Sequence, residues 1–98
     1  MYLKNSKMIN QILVLITLSD AGIQTIMADP ELPKKEMEYV HQWKAEGLLE
    51  RFYISVSRKD AVLIFQNVDE HKTKEMIETL PYFPYMSKIE YHNLNKQF

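Results

Sequence analysis

The sequence predicts a single α+β domain whose elements follow the order strand, helix, strand, strand, helix, strand. Two continuous apolar runs and two alternating segments have the lengths of strands, and the segments between them have helical periodicity. A chain of 98 residues has the length of one domain. Its 46% hydrophobic and 26% charged residues are typical of a globular protein. The order is that of the ferredoxin-like βαββαβ plan, a four-stranded antiparallel sheet with two crossover helices.

The first strand and first helix are predicted from the N-terminal half. Residues 12–18 form a continuous run rich in β-branched side chains, which indicates a strand buried on both faces. Residues 19–29 break the pattern, and Gly22 permits a turn there. Helical spacing over 36–46 predicts the first helix, which should end at Gly47.

A hairpin follows the first helix. Residues 49–57 alternate apolar and polar side chains, which predicts a strand with unequal faces. Residues 61–65 form a second continuous apolar run. The polar turn at 58–60 joins the two strands.

The second helix and the last strand complete the fold. Asp69 can cap a helix over 70–80, and Pro81 should end it. Residues 88–94 have one apolar side and predict the fourth strand.

Right-handed crossovers place strands one and three in the centre of the sheet and strands two and four at its edges. The continuous apolar runs are strands one and three, as this order requires. Two helices cover only one face of the sheet, so we expect a second copy to cover the other in a two-fold homodimer. The alternative is a moderate apolar patch that stays in water.

Composition excludes several classes of function. A formal net charge of -1 with scattered lysines and arginines gives no basic stripe for nucleic acid. Without cysteine there is no disulfide, thiolate nucleophile or thiolate metal site. Two glycines cannot build a phosphate-binding loop, and no pair of histidines or carboxylates has the spacing of a metal site, so we expect no metal.

The N-terminus imitates a signal peptide, because Lys4 and Lys7 precede the apolar run at 12–18. The run is too short to span a bilayer, and no clear cleavage site follows. We therefore expect no membrane partner and a cytoplasmic location.

Two features give the chain a family resemblance. The segment Leu80-Pro81-Tyr82-Phe83-Pro84-Tyr85-Met86, between the second helix and the last strand, resembles the corresponding segment of muconolactone delta-isomerases, as does Glu46-Gly47 at the end of the first helix. The order and lengths of the elements match that family from Met8 to Leu94. The resemblance implies the dimeric α/β-barrel superfamily, in which two sheets face each other, each subunit has a small pocket, and isomerase dimers associate further.

The resemblance also sets the expected boundaries. Residues 1–7 form an N-terminal extension that we expect to be disordered, with Met8 as an alternative start. Residues 8–94 form the domain, and 95–98 form a tail.

The isomerase reaction that the resemblance implies moves a proton between carbons of an unsaturated lactone, without a metal or organic cofactor. It needs one base and donors that stabilise an enolate. Glu36 lies between Val40 and Trp43 on the apolar arc of the first helix, where desolvation would raise its pKa. The alternative is a first-turn acid that faces water. Counted back from Glu46-Gly47, Glu36 falls on a glutamate of the family pattern.

Other candidates for the chemistry lie on the same helix. Pro33 and Lys35 depart from the family pattern, which implies a lysine and an acid at these positions. Lys34 or Lys35 could supply the positive charge from a shifted position. His41, at the border of the arc, is either a proton shuttle or a structural residue.

Four residues are candidates for substrate binding. Arg51 and Tyr53 share one side of strand two, and either line a pocket or face water or the partner subunit. Trp43 and Tyr85 could line a pocket wall, although aromatic side chains in such positions more often fill the core.

Three functions remain open. The first is a cofactor-free isomerase of a small unsaturated lactone or organic acid. The second is a non-catalytic small-molecule-binding or assembly module of the same fold. The third, a cofactor-free monooxygenase, rests on fold analogy alone.

Overall fold

A computed structural model describes residues 10–98 of the chain. The expected extension at 1–7 lies outside these residues. Within them the fold contains four strands, three α-helices and one short 3₁₀ helix. In chain order the elements are β1 (Asn10–Leu18), α1 (Asp20–Ala28), α2 (Glu31–Ala45), β2 (Leu49–Ile54), β3 (Asp60–Gln66), α3 (Glu70–Glu78), the 3₁₀ helix (Phe83–Tyr85) and β4 (Met86–Asn95).

The four strands form one sheet in the order β2-β3-β1-β4, with every neighbouring pair antiparallel. The predicted α+β class and strand order are confirmed, since β1 and β3 are central and β2 and β4 are edges. Val14 on β1 lies opposite Leu63 on one side and Tyr91 on the other. Phe52 continues the same row on β2.

The core lies between one face of this sheet and the helices. Every second residue of β1 points into it, starting at Ile12. Val40 and Trp43 of α2 and Ile77 of α3 pack against these side chains. Burial of these apolar surfaces is the main favourable contribution to the stability of the fold.

The opposite face of the sheet, which we call the open sheet face, has no helix packed on it among residues 10–98. The alternation along the central strands puts Leu13, Leu15, Val62 and Ile64 there, and all four are half-buried. The face is therefore apolar along its two central strands.

The prediction for residues 19–29 is wrong. The sequence predicts an irregular segment there with a turn at Gly22, but these residues contain helix α1. The Ser19 hydroxyl oxygen caps this helix by accepting from the Gly22 N–H at 2.9 Å. Gly22 is therefore in the first helical turn, where its lack of a side chain allows a close approach to Tyr85.

Helix α2 begins at Glu31, earlier than the predicted start at 36. Pro33 is tolerated because first-turn N–H groups have no partner within a helix. The helix ends at Ala45, and Gly47 follows with φ +77, close to the predicted stop.

The remaining boundaries shift by a few residues. Asp69 caps α3 as predicted, with its carboxylate accepting from the Lys72 N–H at 2.7 Å. Strand β2 ends at Ile54 rather than at 57, and Val56 is fully exposed in the turn. No helix within 10–98 is long and apolar enough to cross a bilayer.

The packing of Gly22 generates a testable prediction. A Cβ at Gly22 would lie 2.6 Å from the Cβ of Tyr85 and 2.9 Å from its carbonyl oxygen. The G22A variant should therefore displace α1 and lose about 2 kcal/mol of unfolding free energy, measured by urea denaturation, with faster amide exchange in α1.

G47A is the matched control. A Cβ at Gly47 meets no atom within 4 Å, so only its positive φ penalises alanine. We expect a loss of about 1 kcal/mol and unchanged exchange in α1. Wild-type stability of G22A would contradict the close packing of this helix.

Candidate functional site

The site lies at one end of the sheet, where β1 and β2 end and β3 and β4 begin. The registers pair Thr17 near the end of β1 with Asp60 at the start of β3, and Leu18 with Met86 at the start of β4. β2 also ends there, since Ile54 pairs with Ala61. Helices α1 and α2 cover this end and leave a cavity of about 540 Å³ between themselves and the sheet.

The wall of the cavity is mostly apolar. β1 contributes Ile16, α1 contributes Ile23 and Ile26, and α2 contributes Met37 and Val40. A few polar residues interrupt this wall, and they determine which chemistry the cavity can support. They are Glu36, Ser57, Arg58, Lys59, Asp60 and Tyr82.

Glu36 is the buried polar group of the cavity. It shares the inner face of α2 with Val40 and Trp43, at positions i, i+4 and i+7, and is 8% exposed. Its Oε1 accepts a hydrogen bond from the Tyr82 N–H at 3.0 Å. Burial raises the pKa of Glu36 to about 7, although this hydrogen bond acts in the opposite direction. The carboxyl group is therefore close to half ionised at neutral pH.

The second carboxylate oxygen of Glu36 has no hydrogen-bond partner within residues 10–98, and Glu36 lines the cavity. It is therefore available to a molecule in the cavity. First-turn acids usually face water, but the early start of α2 places Glu36 beyond that turn and on its buried face.

Tyr82 is a half-buried partner of Glu36 in the cavity wall. Burial raises the pKa of its phenol, and the negative charge of Glu36 adds to this effect, while the positive charge of Arg58 opposes it. The phenol therefore remains protonated at neutral pH and can act as a hydrogen-bond donor.

Exposed residues of the β2–β3 hairpin, Ser57, Arg58 and Asp60, form the polar side of the cavity, which we call its mouth. The Lys59 ammonium lies 3.1 Å from the Asp20 carboxylate, which links the hairpin to α1. Asp60 accepts a hydrogen bond from the Thr17 hydroxyl at 2.9 Å. Arg58 has φ +65 and makes no ion pair with any residue that the structure describes. It is therefore the uncompensated cation at this mouth.

A smaller cavity of about 240 Å³ lies between α2 and the edge strand β2. The predicted residues His41 and Arg51 line it, together with Lys44 and Glu50. Both predicted residues are exposed and do not line the large cavity that contains Glu36. Among residues 10–98, no group of three histidine, aspartate or glutamate side chains could hold a metal ion.

The other predicted residues do not line either cavity. Trp43 lies in the core, with its ring centroid 5.5 Å from that of Phe65. Tyr85 packs on Gly22, and Lys35 is exposed on α2. Tyr53 is exposed on the open sheet face, in the row of Val62.

Sequence reasoning missed Tyr82 and Arg58 as site residues. Tyr82 belongs to the aromatic segment 80–86, which carries the signal, but the sequence prediction names Tyr85 as the pocket residue. The sequence predicts Arg58 only as part of a polar turn. The relevant signal is that the hairpin tip and the last residues of β1 must lie at the same end of the sheet.

The fold is similar to that of a solved enzyme. The structure of 5-chloro-2-hydroxyhydroquinone dehydrochlorinase (TftG) from Burkholderia phenoliruptrix AC1100, in complex with 2,5-dihydroxybenzoquinone, superimposes with a TM-score of 0.70. The match covers 84% of this chain and 90% of that chain at 10% sequence identity, so it supports the fold alone. No curated protein sequence matches the chain significantly.

The family model described as muconolactone delta-isomerase matches residues 25–96. This range runs from the middle of α1 to the end of β4 and includes Glu36, Arg58 and Tyr82. It covers most of the chain, so the chain belongs to the muconolactone delta-isomerase family.

Proposed function

We propose that the protein is a cofactor-free isomerase that moves a proton within a small unsaturated lactone or organic acid, with Glu36 as the base. The observation that carries this proposal is the position of Glu36. Its carboxyl group lies in an apolar cavity wall and has a pKa of about 7. A group with this pKa can accept a proton from one carbon and return it to another at neutral pH.

In the first step, the ionised Glu36 removes a proton from a carbon next to the substrate carbonyl. The hydrogen bond from the Tyr82 N–H to Oε1 fixes the orientation of the carboxylate. The other oxygen is then directed to the substrate. The electron pair of the broken C–H bond moves into the carbonyl group to form an enolate.

The enolate oxygen needs a hydrogen-bond donor. Tyr82 can provide it, since its phenol remains protonated and lies in the same cavity wall as Glu36. An apolar environment strengthens such a hydrogen bond relative to water. The protonated Glu36 then returns its proton to another carbon of the conjugated system, which completes the isomerisation without an oxidant or a reductant.

A non-catalytic binding module is the weaker alternative. A retained fold that had lost its chemistry would not need a desolvated carboxylate in an open cavity, because burying that charge costs stability. No feature of the cavity specifically favours a monooxygenase. The cavity with its raised-pKa acid therefore supports an enzyme.

We also propose that the protein acts as a homodimer formed through the open sheet face. The central strands present four half-buried aliphatic side chains there, and no helix covers them within residues 10–98. A two-fold axis parallel to the strands would pack these side chains of one copy against those of the other. Contact between two such apolar faces is what a stable sheet-on-sheet interface requires.

Substitution of Glu36 tests its proposed role as the base. The E36Q variant keeps the shape of the side chain and an acceptor for the Tyr82 N–H but cannot remove a proton. We expect its turnover of an unsaturated lactone, chosen from a panel by ultraviolet absorbance, to fall by about 10²-fold or more. In the wild type, kcat/KM should rise with pH through about 7 as Glu36 ionises.

E38Q is the matched control, since Glu38 lies on the same helix but is exposed. It should keep wild-type turnover. An E36Q variant as active as the wild type would refute the proposed mechanism.

The burial of Glu36 also predicts that the stability of the fold depends on pH. The pKa of Glu36 is about 7 in the folded chain against 4.5 for the unperturbed group, so the folded state holds the proton more tightly. Wild-type stability should therefore decrease from pH 4.5 to 7 relative to E36Q, by about 1.4 kcal/mol per pH unit. Above pH 7 the difference should level off at about 3 kcal/mol.

Urea denaturation of both proteins across this pH range measures the difference. E38Q again serves as the control and should track the wild type. A stability difference between E36Q and the wild type that does not change with pH would show that Glu36 is ionised normally.

A charged substitution on the open sheet face tests the proposed dimer. Leu15 lies in the centre of the open sheet face, so the L15E variant should be monomeric by light scattering while its circular dichroism stays that of a folded chain. Q24E, an exposed change on α1, should remain dimeric. A wild-type protein that is monomeric at micromolar concentration would contradict the proposed interface.

A further inference from the structure

Arg58 has a backbone conformation that is unusual for its residue type. Its φ of +65 lies in the left-handed region, which penalises residues with a Cβ. The other non-glycine residue with a positive φ within 10–98 is Asn67, a type that tolerates this region. A glycine or asparagine at position 58 would close the turn with less strain. This suggests that the arginine side chain has a role beyond the turn.

The charge of Arg58 is not used to hold the fold together. Its neighbour Lys59 pairs with Asp20, but no carboxylate of the described chain lies within ion-pair distance of Arg58. Arg58 lines the large cavity, and its charge acts on the Tyr82 phenol in the same wall. The guanidinium group therefore faces the site while remaining accessible to solvent.

The interior of the cavity has a different character. At about 540 Å³ it lies in the size range of sites for drug-sized ligands. Its apolar wall runs from Ile26 on α1 to Leu63 on the sheet. A ligand that fills this space must be largely apolar, since a polar body would lose its hydration without replacement.

We propose that Arg58 binds the carboxylate of the substrate at the cavity mouth, so that the site selects organic acids with an apolar body that extends toward Glu36. This inference rests on the proposed function and adds the residue that orients the substrate. A guanidinium group offers two parallel N–H donors that match the two oxygens of a carboxylate. When ionised, Glu36 repels the carboxylate from the inner wall, which favours a single orientation. Asp60 at the mouth is also negative, but its Oδ1 is engaged by Thr17.

Binding of naphthoate, followed by isothermal titration calorimetry, tests this assignment. Naphthamide, which has the same two rings and no charge, reports on the apolar wall alone. We expect R58Q to weaken naphthoate binding about tenfold or more and to leave naphthamide binding unchanged. R58K should bind with intermediate affinity, because an ammonium group keeps the charge but not the paired donors.

Two further variants control for charge and for the turn. K72Q removes an exposed positive charge on α3 that lines neither cavity, so naphthoate affinity should change by less than about twofold. R58G removes the strain of the left-handed residue, so its melting temperature should rise while its naphthoate affinity falls as in R58Q. Opposite changes in stability and binding would not arise if Arg58 had only a structural role.

The results separate this inference from the proposed function. Equal naphthoate affinity of the wild type and R58Q, an equal loss in K72Q, or no naphthoate binding by the wild type would each overturn the role of Arg58. These outcomes would leave the base assignment standing if E36Q is inactive. Conversely, an active E36Q together with an R58Q variant that binds naphthoate weakly would refute the base and keep the anion site.

Discussion

The burial of one carboxyl group, that of Glu36, is the constraint on which the candidate site depends. α2 holds it on the same face as Val40 and Trp43, so the helix directs it toward the apolar interior. A single backbone N–H, from Tyr82, compensates part of the lost hydration. Because this compensation is partial, burial dominates and the pKa rises to about 7. A fully satisfied carboxylate would stay ionised and would be a weaker base.

The sheet explains why the cavity lies where it does. The core is filled along the middle of β1 and β3, where side chains such as Val14 and Phe65 are completely buried. The strands end near Leu18 and Asp60, and α1 covers the sheet there. Ser19 caps this helix, and Gly22 in its first turn contacts Tyr85. Because α1 is short, it leaves a space beside this end of the sheet. Along the middle of the sheet, the longer α2 fills the corresponding space. The structure thus separates a packed region that stabilises the fold from an open region that can hold a ligand.

The sequence predicts the sheet well because its signals are local and repeated. The continuous runs of β1 and β3 specify central strands, and the stripe of α2 identifies Glu36 as an acid on an apolar arc. Helix α1 is missed because Gly22 suggests a turn, whereas its real role is contact with Tyr85, which lies far away in the chain. Pocket residues from loops are also missed, since Arg58 acquires its position only when the hairpin meets the end of β1. Helical and strand periodicity carry no information about such long-range contacts.

The position of positive charge shows how the site differs from the one that the family resemblance implies. Pro33 occupies the position where a lysine is implied, and it is part of the cavity wall. The adjacent Lys34 and Lys35 are exposed on α2 and do not line the cavity. They therefore cannot replace the missing lysine from where they stand, and the cations that the cavity does have come from the hairpin. The positive charge lies on the hairpin and not on the helix, so the α2 side of the cavity is apolar around Glu36. This apolar environment keeps the pKa of Glu36 high.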